Sequence, residues 1–301
     1  MICPAAEAIV RLGLAGRPVR NSLSPAIFRE LSKMLRRRIS YAAVKTGPEE
    51  LKRFLREARR KNWSGFNVTH PLKEKISGKL DGLEEDAAVI RAVNTVKNAG
   101  GKWKGFNTDP EGLADVLGER RISLKKKTVR VWGAGGAARA ACLVCARLGA
   151  AGIIITNRTR SRACSLGRLL KRKFPDMSFS ILPPAETSSS KPVLWINATS
   201  LGMPGNPPAG FWKIPPGASG WACDFVYGKG LTPFLETAGK RKLRAIDGKE
   251  VLVRQALAAW EIWTGEKLNG KKHIAKKIYG RLGIQAGGSR HINRPAHHFW
   301  P

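Results

Sequence analysis

The stretch Val129–Arg162 limits what this chain can fold into more than any other. Val129, Val131 and Trp132 form a short β-rich run, and Gly133, Gly135 and Ala138 follow at the spacing G-x-G-x-x-A. Between a strand and a helix each small residue has its own task. The first lets the chain turn sharply, the second lets backbone approach a pyrophosphate, and the third lets the helix pack on the strand. Open N–H groups at the helix start then face the phosphates. The pattern alone is weak, but its surroundings strengthen it. Ala140 to Leu148 reads as a helix, Gly149 and Gly152 break it, and Ile153 to Thr156 is an apolar run of the buried-strand type.

The end of that second strand bears on the cofactor. A site for NAD places Asp or Glu there to bond the ribose 2′-hydroxyl. This chain has Asn157, followed by Arg158 and, one helical turn on, Arg162. No carboxylate repels a 2′-phosphate and two guanidinium groups can pair with it, so NADP is expected. The competing reading is two solvated arginines in a very basic chain.

That basicity is large: 54 Lys and Arg against 22 Asp and Glu give a formal net charge of +32 over 301 residues, 43% of them hydrophobic. The apolar content suits two globular domains or one large one and excludes a disordered or fibrous chain. The charge attracts anions, including phosphorylated cofactors and carboxylates, and also nucleic acid and acidic lipid. It is spread along the sequence, with no aromatic-interleaved patch or known nucleic-acid module, so no specific nucleic-acid partner is expected. The five cysteines, Cys3, Cys142, Cys145, Cys164 and Cys223, form no disulfide framework and fit a reducing cytoplasm. Cys142 and Cys145 match C-x-x-C but fall inside the helix of the glycine turn, where packing is the plainer role. His291, His297 and His298 lie in a basic tail without nearby acidic or thiol ligands, so no metal is expected. No leader pattern or apolar run of membrane-spanning length is present, and a cytoplasmic protein is expected.

The N-terminal half alternates strand and helix patterns as well. Ile9 to Leu14 reads as a strand, and Gly16 and Pro18 open a loop carrying Ser22 and Ser24. Two hydroxyls two residues apart can donate to both oxygens of a carboxylate; equally, Ser24 can cap the helix that follows. Tyr41 to Val44 reads as a strand and Pro48 to Asn62 as an amphipathic helix. The strand at Gly65 runs into a loop holding Thr69, His70, Pro71 and Lys73, and strand ends are where ligands of open α/β sheets sit. Val93 to Val96 is read as a strand carrying Asn94, and Trp103 to Asp109 as a strand that Pro110 turns into a helix. Phe174 to Leu182, Val193 to Ile196 and Trp221 to Phe225 are further strands, the last ending near Asp224 and Tyr227. Two α/β units follow from this alternation.

Taken together, S-L-S-P, N-V-T-H-P-L-K, A-V-N-T, F-N-T-D, G-A-G-G-A-A, N-R-T-R-S-R, N-A-T-S-L-G-M, D-F-V-Y and D-G-K-E-V-L-V-R-Q-A resemble the shikimate dehydrogenase family, in the family's order, over roughly Leu12 to Leu268. The resemblance implies NADP-dependent, reversible reduction of 3-dehydroshikimate to shikimate in chorismate and aromatic amino-acid biosynthesis, by a monomer or homodimer acting on a small molecule. A dehydrogenase that also takes quinate or NAD is the alternative. The implied fold is α/β with two domains: an N-terminal α/β substrate domain and a Rossmann-like doubly wound NADP-binding domain, with the C-terminal helix returning to the substrate domain. The boundaries are 1–112, 113–249, 250–286 for the returning helices, and 287–301 for a basic tail expected to be disordered.

By the same resemblance Lys73 and Asp109 are catalytic, and Ser22, Ser24, Thr69, Asn94, Tyr227 and Gln255 bind substrate. Gly133, Ala134, Gly135, Gly136, Ala137, Asn157, Arg158, Thr159, Arg162, Thr199, Gly202, Met203 and Gly248 bind the cofactor. A carboxylate beside a lysine keeps it charged, so the pair is read as one coupled proton-holding unit, the alternative being a structural salt bridge. The sequence departs from the family at Asn21, at Phe28-Arg29, and at Glu250-Val251, positions next to the implied carboxylate and nicotinamide contacts.

Overall fold

Strand β1 (Val10–Gly16) is buried from Leu12 to Gly16, and a strand buried on both faces needs cover on both, which parallel neighbours with helical crossovers supply. Helix α1 (Ser24–Met34) crosses to β2 (Ile39–Lys45), which pairs parallel with β1 from Val10↔Ile39 to Gly16↔Lys45. Helix α2 (Leu51–Arg60) leads to β3 (Gly65–Val68), parallel to β1 on its other side. A 3₁₀ turn (Ser77–Lys79), β4 (Gly82–Leu83), α3 (Glu85–Ile90), β5 (Thr95–Ala99) and β6 (Lys102–Phe106) follow. The resulting sheet is mixed, in the order β2-β1-β3-β5-β6-β4. Helix α4 (Asp109–Glu119) starts three residues beyond β6.

The second sheet is built from β7 (Thr128–Trp132), α5 (Gly136–Arg147), β8 (Gly152–Thr156), α6 (Arg160–Lys173), β9 (Ser178–Ile181), β10 (Leu194–Asn197), β11 (Trp221–Asp224), α7 (Pro233–Gly239) and β12 (Arg244–Ile246). All its pairings are parallel, in the order β12-β11-β10-β7-β8-β9. This is the doubly wound order, and its switch point, where such folds bind dinucleotides, lies between β7 and β10. Helices α8 (Gly248–Thr264) and α9 (Lys271–Arg281) close the described chain.

This computed structural model describes residues 9–284 except 185, 188, 189, 204 and 209; Cys3, the tail histidines and the expected disordered tail at 287–301 lie outside those residues. The described chain separates into two compact units. Unit 1 takes residues 9–123, Gly135–Val144 and 249–284, and unit 2 takes Leu124–Ala134 and Cys145–Gly248. The sequence-based boundary at 112 falls inside α4, all of which goes with unit 1.

In unit 1, Ile27, Phe28 and Leu31 of α1 pack with Leu257 and Trp260 of α8 and Ile278 of α9, each contributing about 1.5–3 kcal/mol by leaving water. Helix α8 also meets the sheet closely: Trp263 Nε1 donates to Val96 O at 2.8 Å, and a Cβ at Gly65 would lie 2.3 Å from that indole nitrogen. A second core gathers Phe54, Phe66, Trp103 and Leu72 around the other face. Unit 2 is built on Trp132 and Trp195, stacked at 6.0 Å across β7 and β10, with Phe234 edge-on to Trp132. Arg130, inside β7, is buried too. Its guanidinium donates to Thr156 Oγ1 and Glu186 O and lies 4.9 Å from the Trp132 ring centroid, and burial pushes its pKa down to about 10.

Several sequence-based elements shift. Strand β5 begins at Thr95, leaving Val93 and Asn94 in the preceding turn. Phe174 caps α6, and the strand after it starts only at Ser178. The Ser24 cap is replaced: Leu23 is the N-cap residue, and Ser22 Oγ accepts the Ser24 N–H at 3.2 Å. Helices α3 and α7 carry local signals that the periodicity reading passed over, since Glu84 accepts the Asp86 N–H and Thr232 the Leu235 N–H as side-chain caps. No helix among the described residues is long and apolar enough to cross a membrane.

Candidate active site

In unit 1 three neighbouring strand ends deliver polar groups to one place. Past β3, the loop through Thr69 carries Lys73; before β5 sits Asn94; past β6, Asn107 and Thr108 lead to Asp109 at the first turn of α4. Lys73 Nζ donates to Asp109 Oδ2 at 2.5 Å, with the lysine side chain 20% exposed and the aspartate 7%. Asn94 Nδ2 donates to the other carboxylate oxygen at 2.8 Å and to Thr108 Oγ1 at 3.0 Å. Its own oxygen accepts the Thr108 N–H and the Thr95 hydroxyl. Gln255, on α8, brings Oε1 to 3.3 Å from Asn94 Nδ2 and 3.1 Å from Thr108 Oγ1. A Cβ at Gly112 would lie 2.8 Å from the Gln255 backbone nitrogen, so the small residue on α4 lets α8 come this near.

The network continues outward through Asn67, which donates to Thr95 Oγ1 and accepts from the Tyr41 hydroxyl. Satisfied buried networks of this kind hold their members in one geometry. One of the three ammonium protons of Lys73 goes to Asp109, leaving two for an oxygen of a ligand. Thr69 is half-buried on the same loop, its N–H bonded to Ala15 O of β1. Ser24 is buried and Ser22 half-buried, joined by their own hydrogen bond at the start of α1.

The departures from the family pattern have structural occupations. Phe28 faces inward, stacked on Tyr41 at 4.6 Å and tilted against Trp263 at 5.2 Å. Glu250 takes both its oxygens to Arg120, the C-cap residue of α4, at 2.6 Å, and Val251 is buried. Asn21 and Arg29 are exposed.

The glycine turn fits a dinucleotide. Gly133 holds φ +120°, a conformation open to glycine, and a Cβ there would lie 2.7 Å from Ala198 O. At Gly135 the space is open, the nearest atom to a Cβ being Glu74 Oε1 at 3.7 Å. Ala134 is buried, Gly136 opens α5, and Ala137 is half-buried in its first turn. Past β8, Asn157 Nδ2 donates to Thr159 O, and Arg158, Thr159 and Arg162 are exposed at the start of α6. Past β10, Asn197 shapes the next loop: its Oδ1 accepts from Thr199 N and Oγ1, Thr199 Oγ1 accepts the Leu201 N–H, and Gly202 turns with φ +90° before Met203.

Asn197 also donates to Asp224 Oδ1 at 2.7 Å; the Val226 N–H and the Thr232 hydroxyl donate to the same carboxylate. Burial nonetheless pushes the Asp224 carboxyl up to about 7. Gly248 lies against this cluster, a Cβ there meeting Asp224 O at 2.4 Å. Tyr227 is half-buried in the loop after β11, in unit 2, whereas the two serines belong to unit 1.

Cys142 and Cys145 are buried in α5, and burial raises the Cys142 thiol to about 12, the setting of a packing cysteine. No metal-binding group of His, Cys, Asp and Glu occurs among the described residues. The sequence reading missed two residues with a clear structural task. Thr108 joins Asn94 to Gln255, and Arg139 reaches Glu74 at 2.9 Å and Ile90 O at 2.9 Å. Thr108 stands between two residues already singled out; Arg139 stands one residue past the glycine pattern, where its charge alone reads as surface.

Known proteins are similar to this chain in sequence and fold. The sequence pattern of the shikimate dehydrogenase substrate binding domain matches residues 14–96. The NADP(+) shikimate dehydrogenase of Caldanaerobacter subterraneus subsp. tengcongensis is 35% identical over 274 residues, covering 90% of this chain and 96% of that protein. That of Methanopyrus kandleri is 37% identical, covering 85% and 90%. The crystal structure of the Thermus thermophilus shikimate 5-dehydrogenase in complex with NADP(H) and shikimate superposes with a TM-score of 0.73 at 33% identity, over 89% of this chain and 99% of that one. Identity of this extent over nearly the whole of both chains, on the same two sheets, places the chain in the shikimate dehydrogenase family.

Proposed function

We propose that this chain interconverts 3-dehydroshikimate and shikimate with NADP, and that Lys73 and Asp109 handle the proton. Family membership carries the reaction. The observation that carries the site is the 2.5 Å Lys73–Asp109 pair, framed by Asn94 and Gln255 and partly open to a ligand.

When bound, the reduced cofactor supplies the hydride. The chain's own task is to align the carbonyl carbon and manage one proton on its oxygen. In reduction, Lys73 Nζ gives a proton to the oxygen as it becomes hydroxyl; in oxidation the pair takes that proton back. Asp109, fixed by Asn94 on its other oxygen, keeps the amine aimed. Its place in the first turn of α4 also puts the carboxylate at the favourable end of the helix dipole. Ser22 and Ser24 are assigned to the substrate carboxylate, with Tyr227, and Thr69, Asn94 and Gln255 to the ring hydroxyls. The glycine turn is assigned to the pyrophosphate, Arg158 and Arg162 with Asn157 and Thr159 to the 2′-phosphate side, and Thr199, Gly202, Met203 and Gly248 to the nicotinamide side. The location is proposed as cytoplasmic, supported by Cys142, Cys145, Cys164 and Cys223 standing outside any disulfide.

The test follows NADPH formation from shikimate and NADP⁺ at moderate salt, with quinate and NAD⁺ as parallel arms. Turnover is expected with shikimate and NADP⁺ well above either alternative. Quinate used as well as shikimate, or NAD⁺ as well as NADP⁺, would overturn the corresponding assignment.

A further inference from the structure

Lys73 is held at both ends of its side chain. The head meets Asp109, and the stem lies against the start of α5: a Cβ added at Gly136 would come within 2.8 Å of Lys73 Cβ and 3.1 Å of its Cδ. Residues Gly135–Val144 cluster with unit 1 together with the lysine. Three residues after Gly136, Arg139 spreads its guanidinium between two acceptors. One nitrogen lies 2.9 Å from Glu74 Oε2, on the residue next to Lys73, and the other donates to Ile90 O at 2.9 Å, on the last residue of α3. The backbone of Lys73 is tied to that same turn, its carbonyl accepting the Val93 N–H at 2.8 Å. The Arg139 side chain is 14% exposed and that of Glu74 29%, so solvent screens this pair less than a surface one.

From this geometry we infer that Arg139 is a positioning residue for Lys73. It bridges the two segments that fix the lysine backbone, and it sits on the same helix start whose missing side chain at Gly136 gives the lysine stem its seat. A planar fork can serve a carboxylate and a carbonyl at once, which a single ammonium cannot do in the same geometry. Arg139 touches no reacting atom in this scheme. It acts through the placement of Lys73 relative to Asp109, where a displacement of about 1 Å can cost on the order of 10²-fold in rate. The inference rests on the proposed proton role of Lys73.

The experiment is a double-mutant cycle on kcat with Arg139→Met, Lys73→Met and the pair, alongside the pH profile and the solvent deuterium isotope effect. Arg139→Met is expected to lower kcat at least about tenfold, with both KM values within about twofold, and to raise the solvent isotope effect as proton transfer becomes slower. Arg139→Lys is expected to recover little of this. In the Lys73→Met background the Arg139→Met change is expected to have little further effect. Additive losses in the double variant, or a rise in KM with kcat and isotope effect unchanged, would overturn the positioning role. Lys73→Met with undiminished kcat would instead overturn the Lys73 reading, so the two failures are distinguishable. If Arg139→Met does not fold, Glu74→Gln removes the ion pair and leaves the guanidinium in place. The same cycle is then run with that variant and judged by the same outcomes.

Discussion

Each unit carries a buried asparagine–aspartate pair beside neighbouring strand ends, and the two pairs have different third partners. In unit 1, Asn94 holds one oxygen of Asp109 and Lys73 takes the other, so the buried carboxylate has a cationic partner, the one proposed to handle the proton. In unit 2, Asn197 holds one oxygen of Asp224 and the Thr232 hydroxyl the other; among the described residues no cation pairs with it, and burial pushes it up to about 7. A carboxylate bonded only to neutral donors can fasten loops after β10 and β11, but it has no charged partner to pass a proton to. The same two side chains therefore accompany the proposed proton-handling lysine in one place and a hydroxyl fastening in the other, the third partner making the difference.

The sharpest way to break this comparison is Lys73→Met, which leaves unit 1 with an asparagine–aspartate pair like that of unit 2. General acid–base groups contribute about 10²–10⁴-fold, so kcat is expected to fall by that order with KM nearly unchanged; initial rates against shikimate concentration decide it. Next comes pH. Because the folded pKa of Asp224 lies above its ordinary value of 3.8, the folded protein keeps a proton that the unfolded chain has already released. The stability owed to neutral Asp224 is fully present below about pH 4 and is lost as pH rises to about 7, by at most about 1.4 kcal/mol per pH unit. Asp224→Asn lacks this slope, so the stability difference from wild type in urea unfolding at pH 5, 6, 7 and 8 is expected to change up to about pH 7 and level off above it. A constant difference would mean that Asp224 is ionised throughout.

Two glycines sharpen the contrast further. Gly248→Ala forces a Cβ against Asp224 O and is expected to cost about 1–3 kcal/mol, read from urea midpoints. Gly112→Ala presses on Gln255 and is expected to raise KM for shikimate as well. The smallest effect belongs to Arg158→Ala with Arg162→Ala. Two exposed cations removed from the proposed 2′-phosphate side are expected to raise KM for NADP⁺ about tenfold, roughly 1.4 kcal/mol. KM for NAD⁺ and kcat should hardly change, and equal losses with both cofactors would remove the arginines from cofactor choice.

The glycine turn, the strand ends and the candidate residues were legible because each follows from local chemistry: small residues at fixed spacing, apolar runs, and polar groups just past a strand. Ser22 and Ser24 were legible as hydroxyls, but whether Ser24 caps α1 was not, since the cap falls on Leu23 only once the loop after β1 takes its course. Glu250 read as a departure near a nicotinamide contact; its pairing with Arg120, 130 residues away, needs α4 and α8 side by side. Arg139 was one of many cations until its two acceptors were in place.

By itself the sequence determined the alternation of strands and helices in both halves, the doubly wound half, the family resemblance, and the side chains that can carry a proton or a phosphate, because these depend on residue type and short spacing. Only the tertiary structure decided which of those side chains meet. Lys73 and Asp109 lie 36 residues apart, and Gln255 comes from a helix that joins unit 1 after the whole second sheet has been built. Whether a buried aspartate receives a lysine or a threonine is settled by which strand ends are neighbours, and no local pattern encodes that.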